Sequence, residues 1–120
     1  MFEIFVEHTF AAGHALRNYH GKCENVHGHN YRVQVGVTGP DVDENGLLLD
    51  FADLKRRLRA TSEYLDHQFI NDLKPFDSIN PSAENIARFF CDEMQKDLSA
   101  RIAYVRVWET DTSCAIYRPD

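Results

Sequence analysis

The chain has 120 residues, of which 43% are hydrophobic and 27% charged, with a net charge of −6. This is the composition of one globular domain over residues 1–120, and it excludes a disordered chain. The acidic balance argues against nucleic acid as a partner, because phosphate contacts need a surplus of Lys and Arg.

No apolar run approaches the ~18 residues that a membrane span requires, so no membrane partner is expected. The opening MFEIFVEHTF lacks the basic-then-apolar layout of a secretion signal, and a cytoplasmic location is the expectation.

Residues 2–11 alternate, with Phe2, Ile4 and Val6 opposite Glu3, Phe5 and Glu7, which predicts a strand. Residues 12–26 break the pattern and read as a polar connection. Alternation resumes over 29–38 through Tyr31, Val33, Val35 and Val37, and Gly39-Pro40 stops it. A helix is predicted from Asp50, with Phe51, Leu54, Leu58 and Leu65 on one face and the run Lys55-Arg56-Arg57-x-Arg59 largely solvated. A polar stretch over 71–82 leads to a second helix capped by Asn80 or Ser82 around Pro81. Ile86, Phe90, Met94 and Leu98 form its apolar stripe. Two last strands fit 102–109 and 113–118, joined by a short polar turn. The order ββααββ predicts an α+β domain with two helices on one face of a four-stranded antiparallel sheet. Its two unpaired edges point to association as a homo-oligomer.

Three widely spaced cysteines make no disulfide framework. Six histidines stand out instead, five of them between His8 and His29. On an extended backbone His27 and His29 point to one side, and His14, at the end of the first strand, would complete a set of three. Three neutral imidazoles suit Zn²⁺ and leave its fourth position open. Against this, His-x-His also occurs on strands without any metal. Cys23 reads either as a fourth ligand, making the zinc structural, or as a catalytic thiolate. Cys91 reads as a small core residue, and a structural role is the better reading for Cys114.

Asp66-His67 closes the first helix. It reads as an acid/base pair or as a cationic imidazole favoured by the helix C-terminus. Glu109 follows Val105 and Val107 on their face, where a carboxylate is unusual. It either caps a pocket or lies at a solvated strand end. Arg17, Lys22 and Arg32 form a local basic excess suited to an anionic group. His8 and His20 take no role.

Together, F-x-A-x-H around His14, C-x-x-x-H-G-H at 23–29, L-D-H at 65–67 and W-E-T at 108–110 resemble the 6-pyruvoyl-tetrahydropterin synthase / 6-carboxy-tetrahydropterin synthase family. The likeness runs nearly end to end. The three-residue gap between Cys23 and His27 is similar to the bacterial 6-carboxy-tetrahydropterin branch of the queuosine pathway.

The resemblance implies the tunnelling fold, with subunits joined edge to edge as a trimeric barrel and two trimers stacked into a homohexamer. It implies a zinc-dependent lyase in which His14, His27 and His29 hold Zn²⁺ and Cys23 is the general base. Asp66 and His67 would assist proton transfer. Glu109 would anchor the guanidine-like edge of a pterin, and Ser82 would line the pocket of a neighbouring subunit. The implied substrate is 7,8-dihydroneopterin triphosphate, and the products are 6-carboxytetrahydropterin, acetaldehyde and triphosphate. Glu24 directly follows Cys23, so E-x-x-H-G-H is present too; that pattern resembles the folate-type branch and makes Glu24 a candidate second base. From another class, the chain reads as a pterin- or purine-binding module with structural zinc.

Overall fold

Successive side chains on a strand face opposite ways, so a run of alternate apolar residues becomes one wall of a core. The computed structural model describes residues 1–18, 21 and 24–120. His20, Lys22 and Cys23 lie outside the described residues. Strands β1 (Phe2–His14) and β2 (His27–Gly39) lead to helices α1 (Phe51–Leu65) and α2 (Ala83–Gln95), and β3 (Arg101–Thr110) and β4 (Ser113–Tyr117) follow. One 3-10 turn at Ile70–Asp72 lies between the helices. The sheet is antiparallel in the order β1-β2-β3-β4, with α1 packed on β1 and α2 on β3 and β4. Among the described residues no helix is long and apolar enough to cross a membrane.

The core lies between sheet and helices. Val6 and Phe10 of β1, Tyr31, Val33, Val35 and Val37 of β2, and Val105 and Val107 of β3 meet Leu54, Leu58, Ile86 and Phe90 there. Each fully buried aliphatic side chain contributes about 1.5–3 kcal/mol, which is why alternation on the strands predicts the inward face.

Both helix starts follow their caps: Asp50 accepts the amide of Ala52, and Ser82 accepts that of Asn85. The stripe on α1 is Leu54, Leu58, Ser62 and Leu65, whereas Phe51 in the first turn is 51% exposed. Leu98 is buried as expected but lies past the end of α2. Cys91 is buried in the core, and burial pushes its thiol up to about 11. Cys114 is exposed, because it sits opposite Trp108 on the helix-free face of an edge strand.

Two departures from the predicted bounds matter. β1 continues through His14, and β2 starts at His27, because Ala11 to His14 pair in register with Asn30 to His27. His14 therefore stands in regular strand rather than in the connection, and His27 joins His29 in β2.

Two bulges act on β3. Gly36 pairs with Tyr104 and Val37 with Ile102, so Ala103 is an extra residue and the inward phase passes from Ile102 to Val105. Opposite β4, Trp108 pairs with Cys114 and Thr110 with Ser113, leaving Glu109 as a second extra residue. Bulges re-aim side chains in this way.

On the outer face the Tyr104 ring covers Gly36 and leaves no room for a Cβ there. The Tyr104 hydroxyl donates to Gln34 Oε1 at 2.9 Å, and Gln34 Nε2 donates to Glu7 at 2.6 Å. Gly36→Ala should therefore displace Tyr104 and lower stability by about 1–3 kcal/mol, the usual cost of overpacking. Denaturant unfolding checks this; an unchanged midpoint would show that the ring is free to move.

Candidate functional site

At one end of the sheet the inward rows stop being apolar. His14 follows Val6, Phe10 and Ala12 in phase on β1; His29 and His27 continue the row of Tyr31 and Val33 on β2; and Glu109 continues Val105 and Val107 on β3. Ligand nitrogens of His14, His27 and His29 lie within 4.8 Å of one another. Glu109 stands 3.8 Å from His14 Nε2 and 3.9 Å from His29 Nε2, facing the triad without bonding it. The fold thus brings together four of the residues singled out in the sequence.

Hydrogen bonds select the tautomers. His14 Nδ1 donates to the carbonyl of Pro81 at 2.7 Å, and His27 Nδ1 donates to that of Asn25 at 2.7 Å. With both Nδ1 atoms protonated, each neutral ring presents a bare Nε2, and these two nitrogens are 3.0 Å apart. Lone pair then faces lone pair. Burial also lowers the pKa of His14 from its ordinary 6.5, against the opposing pull of the Pro81 hydrogen bond and the Glu109 charge, so its neutral form is favoured. His29 Nε2 is buried without a hydrogen-bond partner among the described residues.

An unanswered buried polar atom costs about 1–3 kcal/mol. A cation between the three rings would remove both the repulsion and the orphaned atom, so the donor set fits a metal ion. Neutral imidazoles oriented by carbonyls are the usual form of histidine ligands.

In the sequence Tyr31 stands out only as one of the alternating residues of β2. Its ring lies beneath His14 and His29 at 5.7 and 5.5 Å, and its hydroxyl is buried with no partner among the described residues. Burial, with the Glu109 charge adding, holds that hydroxyl protonated far above its ordinary range.

Other expected residues stand around this centre. Ser82 is the N-cap of α2, directly after Pro81. Asp66 is the C-cap of α1, and His67, at φ 57, is largely exposed. Asp66 Oδ1 accepts the Ala11 amide at 3.1 Å and lies 3.0 Å from His67 Nδ1, so it both pins α1 to β1 and orients the imidazole. Beyond it, His67 N donates to Ala11 O and Gly13 N to Gln68 O, so this segment runs along the edge of β1. A groove of about 570 Å³ extends here from His29 to His67. A larger one of about 640 Å³, between α1 and α2, holds none of the expected site residues. Glu24 is exposed in a short turn. Cys23 lies outside the described residues.

The basic excess is not a cluster. The Arg17 guanidinium donates to the carbonyls of Ile79, Asn71 and Phe76. Arg32 lies on the opposite face of the sheet, 3.8 Å over the Trp108 ring and 3.8 Å from Glu7. Lys22 lies outside the described residues.

The Ala11 amide, first, and His67 hold the Asp66 carboxyl below its ordinary 3.8. A lowered pKa contributes stability that is fully present above that value and is lost as pH falls through the folded pKa, because the unfolded chain takes up the proton first. The stability difference between wild type and Asp66→Asn should therefore be greatest above about pH 4 and shrink in acid. Urea midpoints across pH test this; a difference that does not vary with pH would contradict it.

The site invites comparison with known proteins. A family model described as 6-pyruvoyl tetrahydropterin synthase matches residues 3–120. A curated relative from Haemophilus influenzae, named 6-carboxy-5,6,7,8-tetrahydropterin synthase, is 33% identical over 98% of this chain and 99% of its own. The human 6-pyruvoyl tetrahydrobiopterin synthase is 37% identical over 82% of this chain and 71% of its own. Among solved structures, 6-pyruvoyl tetrahydropterin synthase of Caenorhabditis elegans superposes with a TM-score of 0.90 at 25% identity, over 99% of this chain and 96% of that one. With its ββααββ tunnelling fold and its inward triad of histidines, the chain belongs to the 6-pyruvoyl tetrahydropterin synthase family.

Proposed function

We propose that the chain is a zinc-dependent lyase that converts 7,8-dihydroneopterin triphosphate to 6-carboxy-5,6,7,8-tetrahydropterin for 7-deazaguanine (queuosine) biosynthesis. The observation that carries this reading is the set of three imidazole nitrogens turned toward one another. The spacing Cys23-x-x-x-His27 and the name of the Haemophilus influenzae relative support the carboxypterin branch. His14, His27 and His29 would hold the metal.

When bound, a zinc ion on three neutral imidazoles keeps an open position and supplies Lewis acidity toward the hydroxyls of the substrate side chain. The protein's own groups do the rest. Cys23 takes the proton from the carbon next to the ring and returns protons to the ring. The Asp66 carboxylate keeps the proton of His67 on Nδ1, which leaves Nε2 free to accept or return one. Glu109 accepts paired hydrogen bonds from the guanidine-like pterin edge, a task suited to a bidentate carboxylate. Ser82 lines the pocket of a neighbouring subunit. Overall, the ring gains the two hydrogens the side chain loses, triphosphate leaves, and one water is consumed as the carbon–carbon bond breaks to give acetaldehyde.

Subunits would join through β4 and the part of the β1 edge before Ala11, which the segment after α1 leaves uncovered, into trimeric barrels, two of which stack as a hexamer in the cytoplasm. Walls missing from one chain's site would then come from its neighbours.

Product identification tests the reading. Wild-type protein with 7,8-dihydroneopterin triphosphate should release acetaldehyde and the carboxypterin, and Cys23→Ala should retain zinc while losing this reaction. Formation of 6-hydroxymethyl-dihydropterin would instead favour the folate-type reaction through Glu24. No turnover, with zinc lost in Cys23→Ala, would favour a pterin- or purine-binding module with a structural metal.

A further inference from the structure

Two asparagines on the loop between the helices each grip one residue of the chain just beyond His14. The Ala15 amide donates to Asn71 Oδ1 at 2.9 Å, and Asn71 Nδ2 donates to the Ala15 carbonyl at 2.8 Å. Two residues on, the Arg17 amide donates to Asn80 Oδ1 at 2.8 Å, and Asn80 Nδ2 donates to the Arg17 carbonyl at 3.0 Å. A carboxamide carries a donor and an acceptor side by side, so each asparagine serves its residue as a strand partner would. The Arg17 side chain tightens the same joint through its three carbonyls at 2.8 to 3.3 Å. Asn85 Nδ2 in turn donates to the carbonyl of Asn80 at 2.9 Å. Asn71 is 8% exposed, so its carboxamide is committed to this joint rather than to solvent.

The position of the joint gives it a consequence for the site. His14 immediately precedes Ala15, and Pro81 immediately follows Asn80. The bond from His14 Nδ1 to the Pro81 carbonyl is therefore flanked by both grips. That bond decides which His14 nitrogen carries the proton and which is free. We infer that Asn71 and Asn80 are positioning residues for the metal centre: by clamping residues 15–17 to the 71–80 loop, they hold the Pro81 carbonyl against His14 and keep its Nε2 turned to His27 and His29. The inference rests on reading those three histidines as the metal ligands.

The test uses zinc itself and, as a spectroscopic probe, Co²⁺, each titrated into metal-free full-length protein. Asn80→Ala should weaken zinc about 10- to 100-fold, the usual effect of losing an outer partner of a ligand, and should shift the Co²⁺ visible bands. Gly36→Ala supplies the comparison: it strains the opposite face of the sheet, so it should lower the unfolding midpoint yet keep the wild-type zinc affinity. If Asn80→Ala fails to fold, Asn71→Ser takes its place with the same expectation. Wild type that binds zinc alongside a clamp variant with unchanged affinity and Co²⁺ spectrum would overturn the clamp alone. Wild type that binds neither ion would overturn the metal reading and the clamp together.

Discussion

Everything in this molecule turns on the inward phase of three neighbouring strands. A side chain two residues further along a strand returns to the same face, whether it is valine or histidine. The rule that buries Val33 and Tyr31 therefore also delivers His29 and His27 to the core side, and antiparallel pairing sets His14 directly across from His27. The sheet pays at this end for polar atoms buried at the edge of an apolar core, and an ion held by the three rings would offset that cost.

The rest of the fold serves this arrangement by adjusting phase and by supplying carbonyls. The bulge at Ala103 changes which residues of β3 face inward; without it the phase set by Ile102 would turn Trp108 inward and Glu109 to the outer face. Glu109, itself an extra residue opposite β4, turns its carboxylate toward His14 and His29. The α2 cap places Pro81 beside His14, and the short segment after α1 covers the edge of β1 next to the same histidines. Stability and function pull against each other here: apolar residues at these positions would pack better and bind nothing.

Much of this was legible because period-two alternation and caps are local signals. Four strands, two helices, a helix start near Asp50, Ser82 as one of two candidate caps, His14 completing the set with His27 and His29, and Glu109 on the face of Val105 and Val107 all follow from spacing and residue type. What was not legible depends on contacts between distant segments. No local pattern distinguishes Arg17, which bonds loop carbonyls, from an arginine free to meet an anion, and none places Arg32 over Trp108. Phe51 fits the helical stripe, but the buried stripe starts one turn later. Asn71 reads as an ordinary loop residue and Asn80 as a candidate helix cap, because their partners lie 56 and 63 positions away in the chain. Tyr31 belongs to the alternation of β2, and only its hydroxyl beneath the triad, buried with no partner among the described residues, sets it apart.

Metal binding by the inward histidines can be measured as equilibrium zinc binding by chelator-treated protein, with wild type compared against His14→Ala, His27→Ala and His29→Ala. Each wild-type chain should hold one zinc tightly, and each variant should lose affinity severely. Wild-type protein that stays metal-free, or a variant that keeps wild-type affinity, would contradict this.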